Sequence, residues 1–199
     1  MPDCRNHDRD PEFRYGSVLA SRGGSLLTSA EAQLIVERIA AGPPLVRRGD
    51  TFHVMIELKR STDADALAAC ALDAAQTIRG AAAAAGVPIA FLLESFEPDL
   101  LGAVAARGRS GDTLLAATFY LPFGAHTLAD FDPAALDVVD VHPRLTSPAD
   151  LETYEALGLG LALWTDRVTP AVFAAFERMR PAYIGTNQVE LVNAWLDGS

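Results

Sequence analysis

From residue 52 onward, the chain alternates short apolar runs with longer stretches rich in Ala and Leu, and turn residues separate the two. The apolar runs predict six strands, at 52–58, 88–94, 113–120, 137–142, 159–165 and 182–186. These runs lack the alternating polar face of a half-exposed strand, so we expect the strands to be buried on both sides. The stretches between them are predicted to be helices.

Residues that favour helix ends support this alternation. In "STDADALAAC" (61–70), Ser61 or Thr62 is predicted to cap the helix that follows. Ser147, followed by Pro148 and Asp150, has the pattern of a capping box with a proline at the first helical position. Thr169 before Pro170 repeats the pattern. The segment 1–51 differs, because it is rich in turn residues and only about 30–41 has helical spacing.

A strand followed by a helix, repeated six times, implies parallel strands joined by right-handed crossovers. An open doubly wound sheet and a (βα)8 barrel both fit this pattern. A complete barrel typically needs about 250 residues, and the chain has 199. No GxGxxG or GxxxxGK[ST] motif follows a strand, which disfavours a nucleotide-binding open sheet. We predict one α/β domain over 1–199, with an irregular segment and one helix in 1–51 and repeated βα units in 52–199.

Charge and composition exclude several classes of function. The formal net charge is −10, and a nucleic-acid surface would instead need clustered Lys and Arg. No run reaches the ~18 apolar residues of a membrane helix, and the polar N-terminus does not resemble a signal peptide. We therefore expect a cytoplasmic protein without a transmembrane segment, in which the only two cysteines, Cys4 and Cys70, are reduced.

Charged residues at strand ends are the candidates for chemistry. Glu57 and Lys59 project to one face at the carboxyl end of the first strand, where parallel α/β folds bind ligands. The carboxylate suits a divalent cation and the lysine suits a phosphate oxygen. An inward salt bridge explains the pair equally well. The same position in other strands holds Glu94, Asp140 with His142, Trp164 with Thr165, and Thr186 with Asn187.

The N-terminal segment offers one further candidate. His7 is followed by Asp8, and an acid beside a histidine can orient the ring for general acid or base catalysis. A solvated histidine in a polar terminal segment is the alternative interpretation.

Four segments in this order resemble the glycerophosphodiester phosphodiesterase family, whose fold is a TIM barrel. They are "NHDRD" (6–10), "MIELK" (55–59), "ESFEPDLLGAV" (94–104) and the stretch from "LGLGLALWT" to "YIGTN" (157–187). The resemblance implies an incomplete (βα)8 TIM-barrel fold. It also implies that Glu57 is a ligand of Mg²⁺ or Ca²⁺, that Lys59 binds the phosphate and assists catalysis, that His7 is one of two catalytic histidines, and that Trp164 is a wall of the substrate mouth.

The activity implied by the resemblance is metal-dependent hydrolysis of a small-molecule glycerophosphodiester to an alcohol and glycerol 3-phosphate, a reaction of lipid metabolism. The family's His-Arg-Gly and Glu-x-Asp elements are not found in this sequence, so we expect the first two βα units to be lacking. The sheet edges left unpaired predict a homo-oligomer. Two alternatives stay open: a noncatalytic barrel remnant that binds a phosphorylated ligand or a partner protein, and another barrel enzyme acting on a phosphorylated metabolite through Lys59.

Overall fold

The computed structural model describes residues 29–41, 51–59, 61–119 and 126–197. The strands are β1 (Phe52–Leu58), β2 (Ile89–Ser95), β3 (Thr113–Phe119), β4 (Val138–Val141), β5 (Gly160–Thr165) and β6 (Tyr183–Thr186). The helices are α1 (Ser29–Ala41), α2 (Ala64–Ala85), α3 (Pro98–Arg107), α4 (Pro148–Ala156), α5 (Pro170–Met179) and α6 (Val189–Asp197). Two short 3₁₀ turns, Leu128–Asp130 and Pro133–Ala135, precede β4.

The fold belongs to the α/β class. Its six strands form one parallel sheet in the order β1-β2-β3-β4-β5-β6, so each strand neighbours the next strand along the chain. This sequential order is that of a (βα)8 barrel, whereas a doubly wound sheet reverses direction at a switch point. The prediction of an incomplete TIM-barrel type with six strands is confirmed.

The chain divides into two compact units, the first ending at Leu115 and the second beginning at Ala116. In the first unit, α2 contacts both α1 and α3. Its buried face is built almost wholly from small side chains, namely Ala68, Cys70, Ala71, Ala74, Ala75, Ile78 and Ala82. Small side chains let neighbouring helices approach closely, which explains how a chain poor in aromatic residues fills this core.

A polar network ties the end of α2 to the start of β3. Arg79 Nε and Nη2 donate to the two carboxylate oxygens of Asp112 over 2.8 and 2.7 Å, and Nη2 also donates to Thr113 Oγ1 over 3.1 Å. The guanidinium lies 5.0 Å from the ring centroid of Phe91. The Arg79 hydrogen bonds hold the pKa of the Asp112 carboxyl below its ordinary value.

The second unit has its aromatic cluster on α5 and α6. Phe173 stacks on Trp195 at 5.2 Å between ring centroids, and Phe176 meets both rings at 6.0 and 6.1 Å. Phe176 is fully buried. Aromatic pairs in tilted or offset arrangements add to the stabilisation given by burial alone, so this cluster anchors the last helix.

The helix caps agree with the sequence in part. Ser147 and Asp150 form the predicted capping box, and the Thr169 hydroxyl accepts from the Val172 N–H. The prediction for α2 was wrong, because its N-cap is Asp63, whose carboxylate accepts from the Ala66 N–H at 2.9 Å. Ser61 instead accepts the N–H of Asp63 and so orders the residue that caps the helix.

Two other expectations need correction. β2 and β4 are buried along their length, but β1 and β6 are only partly buried, because they are the two end strands of the sheet order. Cys70 is disulfide-bonded, so the expectation of reduced thiols was wrong. The other cysteine, Cys4, lies outside the described residues.

Candidate functional site

The first group of candidate residues lies at the carboxyl end of β1. Glu57 and Lys59 are exposed, and Lys59 Nζ donates to Glu57 Oε1 at 2.5 Å. The residues on either side of Glu57, Ile56 and Leu58, are buried on the opposite face. The alternation of a strand therefore places the charged pair on the face away from these apolar side chains.

A second carboxylate stands beside the first. Glu57 and Glu94 are register partners in the parallel pairing of β1 and β2, so their side chains share a face on strands about 4.8 Å apart. Glu94 is only 6% exposed. Phe91, which meets Arg79 of α2, has the opposite parity along β2, so the two glutamates lie on the face turned away from that helix.

Ser95 fixes the ends of these two strands relative to each other. Its hydroxyl donates to the Leu58 carbonyl at 2.9 Å and accepts the Glu97 N–H at 3.0 Å. The side chain is fully buried. Because these bonds join the last residues of β1 and β2 to the start of α3, the spacing between the two carboxylate positions is set by structure and not by a flexible loop.

The second unit carries its own set of polar residues on one sheet face. Thr118 pairs in register with Asp140, and Asp140 pairs with Ala162. Trp164 lies two residues beyond Ala162 on the same face of β5, and His142 follows directly after the end of β4. Thr118 and Asp140 are 4% and 2% exposed, whereas His142 and Trp164 are half-buried.

His142 is held in one orientation at the end of β4. Its Nδ1 accepts the backbone N–H of Arg144 at 3.2 Å, which leaves the proton of the neutral imidazole on Nε2. Burial lowers the pKa of His142, the nearby Asp166 raises it and Arg144 lowers it, with a net decrease. A neutral imidazole with Nε2–H as donor is therefore the form expected at neutral pH.

Trp164 packs directly on the backbone of β6. A Cβ added to Gly185 would lie 2.7 Å from Trp164 Cδ1 and 3.5 Å from Cγ. Only a glycine leaves room for the indole here, so Gly185 decides where the ring of Trp164 lies.

The structure describes three of the four predicted site residues. It places Glu57 and Lys59 together in the first unit, and Trp164 in the second. His7 lies outside the described residues, so its catalytic role stays a prediction. Sequence reasoning missed Thr118 and Gly185; the hydroxyl that follows the apolar run 114–117 near the end of β3 would have identified the first.

The described residues limit what this site can bind. Within them, no group of three or more His, Cys, Asp or Glu side chains is placed to hold a metal ion. Glu57 and Glu94 offer two carboxylates. No helix in the described part of the chain has the length and apolar character needed to cross a bilayer.

Comparison with known proteins shows which solved structures share this fold. No protein-family model matches the sequence, and no curated protein matches it. Among solved structures, the chain is similar to a glycerophosphodiester phosphodiesterase from Parabacteroides distasonis, with a TM-score of 0.57, 13% identity and coverage of 83% of this chain and 63% of that one. It is also similar to a phosphodiesterase from Oleispira antarctica in complex with the product sn-glycerol-3-phosphate, with a TM-score of 0.55, 9% identity and coverage of 73% and 56%.

These similarities establish a phosphodiesterase-like fold. The resemblance to the glycerophosphodiester phosphodiesterases that the sequence motifs indicated is thus confirmed at the level of the fold. The chain spans 63% and 56% of the length of the two structures. The similarity therefore concerns the fold and not the activity of a whole enzyme.

Proposed function

We propose that this chain contributes the phosphate-binding and metal-binding side of a glycerophosphodiester hydrolase. The observation that carries the proposal is the pairing of Glu57 with Glu94 at the carboxyl ends of adjacent strands, with Lys59 beside them. The similar Oleispira antarctica structure, whose bound product is sn-glycerol-3-phosphate, supports a phosphomonoester as the product here.

The donor set fits Mg²⁺ better than Ca²⁺. Mg²⁺ is commonly bound through one or two carboxylates together with water and substrate phosphate, whereas Ca²⁺ takes six to eight oxygen ligands. Glu57 and Glu94 would hold the ion. When bound, it would neutralise charge on a nonbridging phosphate oxygen.

Each residue of the proposed site has its own role in the hydrolysis. Lys59, now held by the Glu57 carboxylate, donates to a phosphate oxygen and balances its charge. Water gives up a proton as its oxygen attacks phosphorus, the bond from phosphorus to the alcohol oxygen breaks, and the leaving alkoxide takes up a proton. His7 is the proposed carrier of one of these protons, with Asp8 orienting its ring.

The test is release of glycerol 3-phosphate from a panel of glycerophosphodiesters by the purified chain, with Mg²⁺, Ca²⁺ or EDTA. Glu57→Gln and Glu94→Gln are expected to lower kcat/KM roughly 100-fold, as loss of a charge-stabilising group does. Glu37→Gln, on the exposed face of α1 in the same unit, is the matched control and should leave turnover unchanged. Mg²⁺ titration calorimetry on the same variants gives a readout that does not depend on turnover.

A noncatalytic phosphate-binding remnant is the second candidate, because the described residues provide two carboxylates and no third metal ligand. Phosphate-ester binding without turnover in a folded sample would favour it. A Schiff-base enzyme is the third, and borohydride trapping with a carbonyl substrate would reveal it. The ion pair of Lys59 with Glu57 weighs against that role, because the reactive form is a neutral amine.

The proposal also includes self-association of the chain and its location in the cell. β1 and β6 end the strand order in the described residues, so self-association through these strands is expected in gel filtration. The cytoplasmic location stays a prediction. A mass shift on alkylation with and without reduction would measure the occupancy of the disulfide at Cys70.

A further inference from the structure

One face of the sheet in the second unit combines two buried polar groups with an aromatic ring. Thr118 of β3 and Asp140 of β4 are register partners, so their side chains lie next to each other on adjacent strands. The neighbouring positions on this face are apolar, namely Ala116, Val138 and Ala162. The polar pair therefore interrupts a surface whose other positions are apolar.

Burial of a polar side chain costs free energy unless a hydrogen bond replaces the one it made with water. Thr118 is 4% exposed, and its Oγ1 has no hydrogen-bond partner among the described residues. A buried hydroxyl without a partner costs free energy, and valine has nearly the same shape without that cost. A threonine at this position indicates that a hydroxyl group or a water supplies the missing hydrogen bond.

An aromatic ring lies further along the same face, on β5. Trp164 is two residues beyond Ala162, half-buried, and packed against Gly185. A carboxylate that accepts from hydroxyls, a hydroxyl that donates and accepts, and an indole that covers a C–H face together recognise a polyol. A metal ion fits this pair less well than it fits Glu57 and Glu94, because the pair offers one carboxylate and one neutral hydroxyl where the two glutamates offer two carboxylates.

We propose that Thr118 and Asp140 form a hydroxyl-binding subsite for the polyol part of a phosphorylated ligand, with Trp164 covering its carbon face. This inference rests on the proposed function only for the identity of the polyol as glycerol. The subsite lies wholly within the second unit, and Glu57, Lys59 and Glu94 are not part of it.

The test uses Trp164 as its own reporter. Trp195→Phe removes the other tryptophan while keeping an aromatic ring against Phe173, and glycerol 3-phosphate is then titrated while Trp164 fluorescence is followed. Thr118→Val is expected to weaken glycerol 3-phosphate binding about tenfold, because a site built for a hydroxyl loses its partner. Binding of inorganic phosphate should not change. Thr118→Ser should keep the affinity, and Thr153→Val, exposed on α4, is the matched control.

Several outcomes would overturn the subsite. They are unchanged glycerol 3-phosphate affinity in Thr118→Val, an equal loss for inorganic phosphate, or no binding to the parent chain. If Thr118→Val does not fold by circular dichroism, the same comparison is made with Asp140→Asn and the same criteria apply.

Failure of the subsite and failure of the proposed hydrolase can be told apart. Binding that depends on Thr118 in a chain without turnover supports the subsite and contradicts only the hydrolase. Turnover in which Thr118→Val leaves the preference for a glycerol diester over bis(4-nitrophenyl) phosphate unchanged contradicts only the subsite.

Discussion

Gly185→Ala tests the contact that sets the position of Trp164. The new Cβ would lie 2.7 Å from Trp164 Cδ1, 3.5 Å from Cγ and 3.6 Å from Nε1. The first distance is shorter than carbon atoms tolerate, so the indole or the β6 backbone must shift. The affected ring is half-buried and belongs to the candidate site.

Two opposing effects determine the magnitude. Gly185 is not among the residues with positive φ, so alanine fits the backbone, and the loss of unfolded-state freedom alone would stabilise by about 0.4–1 kcal/mol. Overpacking against a rigid ring costs about 1–3 kcal/mol. We expect the clash to prevail, with a net decrease of about 1–2 kcal/mol in the free energy of unfolding. For a chain of this size, that lowers Tm by roughly 2–8 °C.

Urea and thermal unfolding followed by circular dichroism measure the change. Gly80→Ala is the control for the general effect of replacing glycine, because Gly80 is an exposed residue of α2 with no atom within 4 Å of the new Cβ. That variant should gain about 0.5–1 kcal/mol. In the Trp195→Phe background, Gly185→Ala should also shift the emission of Trp164.

The reasoning is refuted if Gly185→Ala is as stable as the parent chain or more stable. A double-mutant cycle gives an independent check. With Trp164→Ala already present, the ring that clashes is gone, so adding Gly185→Ala should no longer destabilise the protein. A persisting cost would mean that the contact with Trp164 is not its cause.

Three further predictions concern stability. Asp112→Asn should lower the free energy of unfolding by no more than about 1 kcal/mol near pH 7, because the pair with Arg79 is partly exposed. The folded-state pKa of Asp112 is depressed, so this difference is present above the unfolded pKa and disappears as pH falls below about 4. Ser147→Ala should cost about 1 kcal/mol by removing the cap of α4. Arg180→Gly should gain about 1 kcal/mol, because Arg180 has φ 48°.

Each of the three has a simple check. Chemical denaturation between pH 3 and 7 compares the stability of Asp112→Asn with that of the parent chain. A stability difference that grows toward low pH would contradict the depressed pKa of Asp112. Thr153→Ala, on the exposed face of α4, is the control for the loss of a hydroxyl. Arg180→Ala should gain less than Arg180→Gly, and equal gains would mean that backbone conformation is not the cause.

The local pattern of the chain predicts its elements well. All six strands lie within one residue of their predicted bounds, and the predicted helix over 30–41 is α1. Apolar runs, turn residues and caps act over a few positions, so a sequence records them directly. The cap of α2 shows the limit of this reasoning, because Ser61, Thr62 and Asp63 are all good N-cap residues and only their backbone geometry selects Asp63.

The sequence by itself therefore determined the order of strands and helices, and the placing of Glu57, Lys59 and Trp164 at strand ends. The tertiary structure decided which residues meet. The pairings of Glu57 with Glu94, Thr118 with Asp140, and Gly185 with Trp164 depend on strand register. Register joins segments 20 or more residues apart. The apolar pattern of one strand fixes which of its side chains face the core, but it does not by itself name their partners on the neighbouring strand.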